Sequence, residues 1–381
     1  MRVLGGKVLI GHDLVQTDIL LEDTEIAEIG TIRHSAVYLD ARGLLVLPGI
    51  IDIHGDAFER QIMPRPNVMV DHTIALAETD RQMLANGITT AYHGVTWSWE
   101  PGLRGAQSAA AILQSLQEIA PRLAVDTRLH LRHETYNLDA EEVLTGWLDE
   151  GKIGCLAFND HTSGTILVRH RPDKIKKMVE RTNLSTEDFM TLVESVAARQ
   201  AEIVPSLQRL AAAARRNNVP MLSHDDMSPK MRDDYRAMGA SIAEFPINEE
   251  TAISAAEHGD PIVFGAPNVM RGGSHAGCPS AAHMAGRGLC TVLASDYYYP
   301  ALLHAPFKLA ADGILPFGVA WGLVSTGPAH ALNLPDRGTI AEGKRADVLL
   351  VEPNGVAGPE VVAAIISGKL RLLTAPSRLQ N

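Results

Sequence analysis

Leu47-Pro48-Gly49-Ile50-Ile51-Asp52-Ile53-His54-Gly55-Asp56 decides the fold, because it is an apolar run that ends in groups suited to chemistry. On a strand, positions i and i+2 point to the same side, so His54 and Asp56 can converge on one ion. Apolar runs of this kind recur at 44–53, 88–95, 126–134, 153–160, 219–223, 240–245, 261–266 and 290–295. Helical stretches separate them, which is the signature of βαβ units and a parallel sheet. Eight parallel strands favour a closed (β/α)₈ barrel over an open doubly wound sheet.

The ends of several other runs are equally polar. Glu134 closes Arg128-Leu129-His130-Leu131-Arg132-His133-Glu134, and His161 closes Cys155-Leu156-Ala157-Phe158-Asn159-Asp160-His161. His224 closes Val219 to Ser223, and Asp296 closes Cys290 to Ser295. In a barrel such ends meet at one face, where catalytic groups are normally found. Taken singly, a histidine or aspartate at a strand end is more often a cap or a turn former. Six in equivalent places point instead to a mixed nitrogen and oxygen site, sufficient for two divalent ions if Glu134 bridges them. The oxygen share suits zinc, manganese or iron better than magnesium alone. His93 and His130 are expected to line the interior and hydrogen-bond the ligands. His12, His34, His258, His304 and His330 lie away from strand ends.

Anion-handling candidates follow the seventh run, in Gly265-Ala266-Pro267-Asn268-Val269-Met270-Arg271-Gly272-Gly273-Ser274-His275-Ala276-Gly277. Successive glycines are expected to leave backbone N–H groups free for an anion nest, with Arg271 adding a planar, bidentate charge. Asn268, Gly272, Gly273, Ser274 and His275 are therefore substrate-binding candidates, although a flexible turn leaves the same trace. Arg65, stiffened by Pro64 and Pro66, is a second candidate cation for the mouth; a solvated loop arginine is the competing reading.

Both chain ends look like short strands. Lys7–Ile10, Asp18–Asp23 and Glu25–Gly30 are matched by Ala346–Val351, Val361–Ile366 and Gly368–Leu373. The spacing predicts a small β-sandwich built from residues 1–46 and 341–381, around a barrel of residues 47–340. A segment at about 165–205 is too long for a simple connection and reads as a helical insertion over the barrel mouth. It is basic at first, through Arg169, Arg171, Lys174, Lys176 and Lys177.

A net charge of −11 disfavours nucleic acid as a partner. It leaves room for a phosphorylated small molecule, since a local cluster of arginines or a metal can reverse the field in one pocket. Three cysteines, none in a CxxC pair, form no disulfide framework and suit a reducing cytoplasm. No 18-residue apolar run is present, and the N-terminus lacks the features of a signal peptide, so no membrane partner is expected. A homo-oligomer is compatible with this reading.

Leu47–His54 resembles the opening strand of the cyclic amidohydrolases, and Ala341-Glu342-Gly343-Lys344-Arg345-Ala346-Asp347 resembles their closing segment. Pro64-Arg65-Pro66, Leu129–Arg132, Ser223-His224-Asp225-Asp226, Ile242-Ala243-Glu244-Phe245-Pro246, Gly265–His275 and Ser295-Asp296-Tyr297-Tyr298 narrow the resemblance to the triphosphate diphosphatases of phosphonate catabolism, within the amidohydrolase superfamily. It implies a barrel with a β-sandwich, divalent metal, and hydrolysis between the α- and β-phosphates of a ribose 5-triphosphate. Carried onto this chain, His54, Asp56, Glu134, His161, His224 and Asp296 become the metal positions, with Asp296 also the catalytic base. The chain departs from the pattern by placing His161 and His224 on the fourth and fifth strands, whereas the superfamily's paired histidines sit on the fifth and sixth. Two rivals remain: a C–N hydrolase (deacetylase, deaminase or cyclic amidase) using the same ions on a carbonyl, and a non-catalytic binding subunit.

Overall fold

The computed structural model describes residues 1–31, 37–65, 68–168, 179, 182, 184–273 and 277–380. Among the described residues, seventeen strands fall into two sheets. The barrel strands are β6 (Ile50–Gly55), β7 (Ile88–Trp97), β8 (Asp126–Glu134), β9 (Cys155–Asn159), β10 (Met221–His224), β11 (Ile242–Glu244), β12 (Ile262–Gly265) and β13 (Val292–Ala294). They pair in sequence order and every pair is parallel. A bridge between Gly55 and Asp296 joins the first strand to the end of the last. Asp56 N donates to Asp296 O at 2.9 Å, and Asp296 N donates to His54 O at 2.9 Å. The expected eight-stranded barrel is present.

The same seam is fastened from inside. Asp52 is fully buried and accepts from Ser295 Oγ at 2.6 Å and Ser295 N at 3.0 Å. Burial pushes the Asp52 carboxyl up to about 6 despite these donors. Gly55 leaves the room for this contact, because a Cβ there would press on Asp52, Ser295 and Tyr299.

The second sheet has nine strands and joins the chain ends. Its first strands are β1 (Arg2–Ile10), β2 (Asp13–Glu22), β3 (Glu25–Gly30), β4 (Tyr38–Asp40) and β5 (Leu45–Pro48). From the far end come β14 (Val348–Gly355), β15 (Gly358–Ile366), β16 (Lys369–Leu373) and β17 (Leu379–Gln380). The path runs β16-β15-β14-β5-β1-β2-β3. A break at Gly5-Gly6 divides β1: Arg2–Leu4 pair with β4, and Lys7–Val8 pair with β5. Gly5 has φ +73° and a side chain on Gly6 would strike Val46 and Ala41, so both positions need glycine. Val3, Val8, Ile19, Leu21, Ile26, Leu39, Val46, Val348 and Ile365 form this sheet's own core.

The apolar run 44–53 turns out to serve both sheets. Its first part is β5 and its second is β6, divided at Gly49, where a Cβ would collide with the Thr89 side chain. Of the expected insertion, the helices His161–Val168 and Thr186–Ala197 are described, the latter capped by Ser185 Oγ accepting from Asp188 N at 3.0 Å. Phe189 of that helix packs against Trp99, with ring centroids 6.0 Å apart. Arg169, Arg171, Lys174, Lys176 and Lys177 lie outside the described residues. Among the described residues no helix is long and apolar enough to cross a membrane.

Candidate active site

The C-terminal ends of the barrel strands surround a cavity of about 300 Å³. His54, Asp56, Arg104, Arg132, His161, His224, Asp225, Asn268, Arg271 and Asp296 are among the groups lining it. Backbone geometry aims the polar side chains inward. Asp225, Phe245 and Asp296, each just after a strand, take left-handed φ values of 59°, 54° and 53°. Such conformations are rare for residues with a side chain and concentrate at functional sites.

The side chains form three clusters, two of them sharing His54, and within each the ligand atoms lie within 4.8 Å of one another: His54/Asp56/Asp296, His161/His224/Asp225 and His54/His130/Glu244. In the first, burial and the neighbouring Asp56 raise the Asp296 carboxyl to about 7. In the second, His224 Nδ1 stands 3.2 Å and His161 Nε2 3.6 Å from Asp225 Oδ2. Burial alone would raise Asp225, but these two histidines hold it well below the usual carboxylate range. The third cluster is the deepest. Glu244 Oε1 accepts from His54 Nδ1 at 2.8 Å, while Oε2 lies 3.8 Å from His130 Nε2 and 4.0 Å from His224 Nε2. Burial and the positive Arg132 keep the His54 imidazole neutral, its affinity for protons well below normal.

Five of the six strand-end candidates therefore fall into clusters: His54, Asp56 and Asp296 in one, His161 and His224 in another. The strand count also stands, since His161 follows the fourth barrel strand and His224 ends the fifth. Glu134 joins none of the three. Its Oε1 accepts from Thr162 N at 3.2 Å and Thr162 Oγ1 at 2.8 Å, and its Oε2 lies 3.3 Å from His161 Nδ1. It caps the helix that begins at His161 and orients that ring. His130 lines the interior as expected, but its Nδ1 donates to the backbone Ile53 O at 2.9 Å and not to a ligand side chain. His93 is buried behind, against Phe58.

The glycine-rich loop corrects one expectation. Gly272 N donates to Val269 O at 3.3 Å and Gly273 N to Asn268 O at 3.1 Å, so these amides close the helix Ala266–Arg271 instead of opening a nest. Asn268 is a clamp: its amide donates to Pro279 O at 3.3 Å and accepts from Ala281 N at 3.0 Å. Arg271, Gly273 and Asn268 still line the cavity, whereas Ser274 and His275 lie outside the described residues. Arg65 is exposed, pairs with Val68 through the backbone, and does not line the cavity.

Asp225, Glu244, Arg104 and Arg132 are cavity or cluster residues that the strand-end reading did not single out. Glu244 carries the very signal used for the others, a carboxylate closing an apolar run. Arg132 lies two residues before Glu134, hence on the same inward face of β8.

The clusters suit divalent cations. They combine imidazoles with carboxylates, and Glu244 Oε2 and His130 Nε2 are buried without a hydrogen-bond partner, which a cation nearby would relieve.

No family model matches the chain. It is 33% identical over 360 residues, 92% of its length and 94% of the relative's, to alpha-D-ribose 1-methylphosphonate 5-triphosphate diphosphatase of Escherichia coli K12. Adenine deaminase of Brucella suis is 24% identical over 359 residues, 91% of this chain but 53% of that protein. Among solved structures, D-hydantoinase from Bacillus sp. AR9 superposes with a TM-score of 0.64 at 15% identity, covering 98% of this chain and 95% of that one. A triazine hydrolase variant gives 0.64 at 14% identity, covering 98% and 94%. The barrel, its terminal sheet and the sequence match together make this chain a hydrolase of the amidohydrolase superfamily, belonging to the family of alpha-D-ribose 1-methylphosphonate 5-triphosphate diphosphatase.

Proposed function

We propose that the enzyme hydrolyses the α–β phosphoanhydride of a ribose 5-triphosphate bearing a 1-phosphonate group and releases pyrophosphate. The observation that carries this reading is the lining of the cavity, where Arg104, Arg132 and Arg271 stand among the histidine and carboxylate clusters. The three arginines offset Asp56, Asp225 and Asp296 in the same lining, so cations held by the clusters would make the cleft positive, a local field for a polyanion.

Divalent cations (zinc, manganese or iron) held by His54, Asp56, His161, His224 and Asp296, supported by Glu134, His130 and Glu244, would supply Lewis-acid polarisation and lower the pKa of a water. Asp296, at the end of the last barrel strand, accepts the proton of the attacking water. The water oxygen bonds to the α-phosphorus as the bond to the bridging oxygen breaks. Pyrophosphate then leaves with that electron pair. The arginines hold the charge that accumulates on the phosphoryl oxygens.

A direct test measures pyrophosphate and ammonia release from ribose 1-methylphosphonate 5-triphosphate, a nucleoside triphosphate, adenine and a cyclic amide. Pyrophosphate from the ribose triphosphate is the expected product. Turnover of adenine or the amide alone would establish C–N chemistry instead. No turnover in a protein loaded with metal would favour a binding subunit.

A further inference from the structure

We infer that Arg132 is the phosphoryl-gripping cation of this cavity, seated between two ligand clusters and selecting anionic over neutral substrates. The inference rests on the proposed triphosphate hydrolysis. Arg132 projects from β8 into the barrel and is only 5% exposed, yet it lines the cavity. Its Nη2 donates to His224 Nε2 at 3.0 Å, in the second cluster. Its Nη1 faces Asp56 Oδ2, in the first, at 3.8 Å. That separation is an ion pair and too long for a hydrogen bond. Buried Asn159, with its amide oxygen turned to the guanidinium, accepts from Nε at 3.1 Å and Nη2 at 3.3 Å. One edge of the planar fork is thus held rigidly, while Nη1 keeps donors for something in the cavity.

The other two arginines are less suited to this task. Arg104 Nη2 is engaged with Glu59 at 3.4 Å, and Arg271 lies exposed at the rim. A guanidinium stays charged when buried, and its fork matches two oxygens of a phosphoryl group. A neutral amide offers no such partner and would leave the buried charge poorly compensated, which disfavours it. A positive charge between the clusters also opposes cation binding.

Titration calorimetry with inorganic triphosphate, and separately with zinc, tests this on wild type, Arg132→Gln and Arg132→Lys. Arg132→Gln should weaken triphosphate binding by roughly 10- to 100-fold, the scale of a charge-assisted contact, with Arg132→Lys intermediate. Zinc affinity should stay level or rise in Arg132→Gln. Equal triphosphate affinity in all three proteins would overturn the inference, as would a parallel fall in zinc affinity, which marks a structural role. If Arg132→Gln does not fold, the Lys variant carries the same comparison. Wild type that binds no triphosphate would instead sink the proposed function.

Discussion

Glu244 sits among three imidazoles and has an oxygen without a hydrogen-bond partner, so its charge is what that depth of the barrel is built around. Glu244→Gln keeps the shape and removes the charge, and cation affinity should fall about 10- to 100-fold, as for other groups that orient ligands. Unchanged metal content after dialysis would show that Glu244 only packs. Arg271 makes the opposite case. It is exposed at the rim, so Arg271→Ala should lower kcat/KM for a triphosphate about 10-fold and leave bound metal untouched; a loss of metal would place it with the ligands instead. At this scale the sequence made legible which side chains stand at strand ends and so meet around one cavity. His54, Asp56, His161, His224 and Asp296 meet that condition. Glu134 met it too, but its oxygens are taken by the adjoining helix terminus, a competition that spacing along the chain does not reveal. Arg132 lies inside its strand, where an arginine ordinarily marks an exposed face, and only the closed barrel makes that face interior.

At the level of elements, the seam between β6 and β13 and the junction between β5 and β6 do most to fix the cavity. Gly49 is the narrowest point of that junction, since any Cβ meets Thr89. Gly49→Ala should cost roughly 1–3 kcal/mol through overpacking. Thermal melting reads this directly, and a melting point equal to wild type would mean that Thr89 moves aside freely. The eight barrel strands were legible because fully buried parallel strands read as continuous apolar runs. The division of 44–53 between two sheets was not, because both halves are equally apolar and only the pairing partners differ. Likewise the glycine amides after β12 looked free in the sequence, and it is the short helix before them that takes them up.

For the molecule as a whole, acid sensitivity should exceed what its carboxylates alone impose. Burial holds His93 down to about 4, and its Nδ1 has no hydrogen-bond partner. The unfolded chain therefore takes up this proton first, from about 6.5 downward. The stability His93 contributes is complete above about 6.5 and is lost as pH falls toward 4, at most about 3 kcal/mol. His93→Gln should flatten the melting temperature against pH across that window; an unchanged slope would assign the loss to other groups. The terminal sheet has a consequence of a different kind, for the order in which the protein can be made. β5 is flanked by β1, synthesised just before it, and by β14, about 300 residues later. While the barrel emerges from the ribosome, the apolar edge of β5 that β14 later covers stands open with its amides and carbonyls unpaired, the sort of edge that recruits stray strands. Nascent chains halted before Val348 should thus be aggregation-prone even with every barrel strand translated, and the last strands act as the seal.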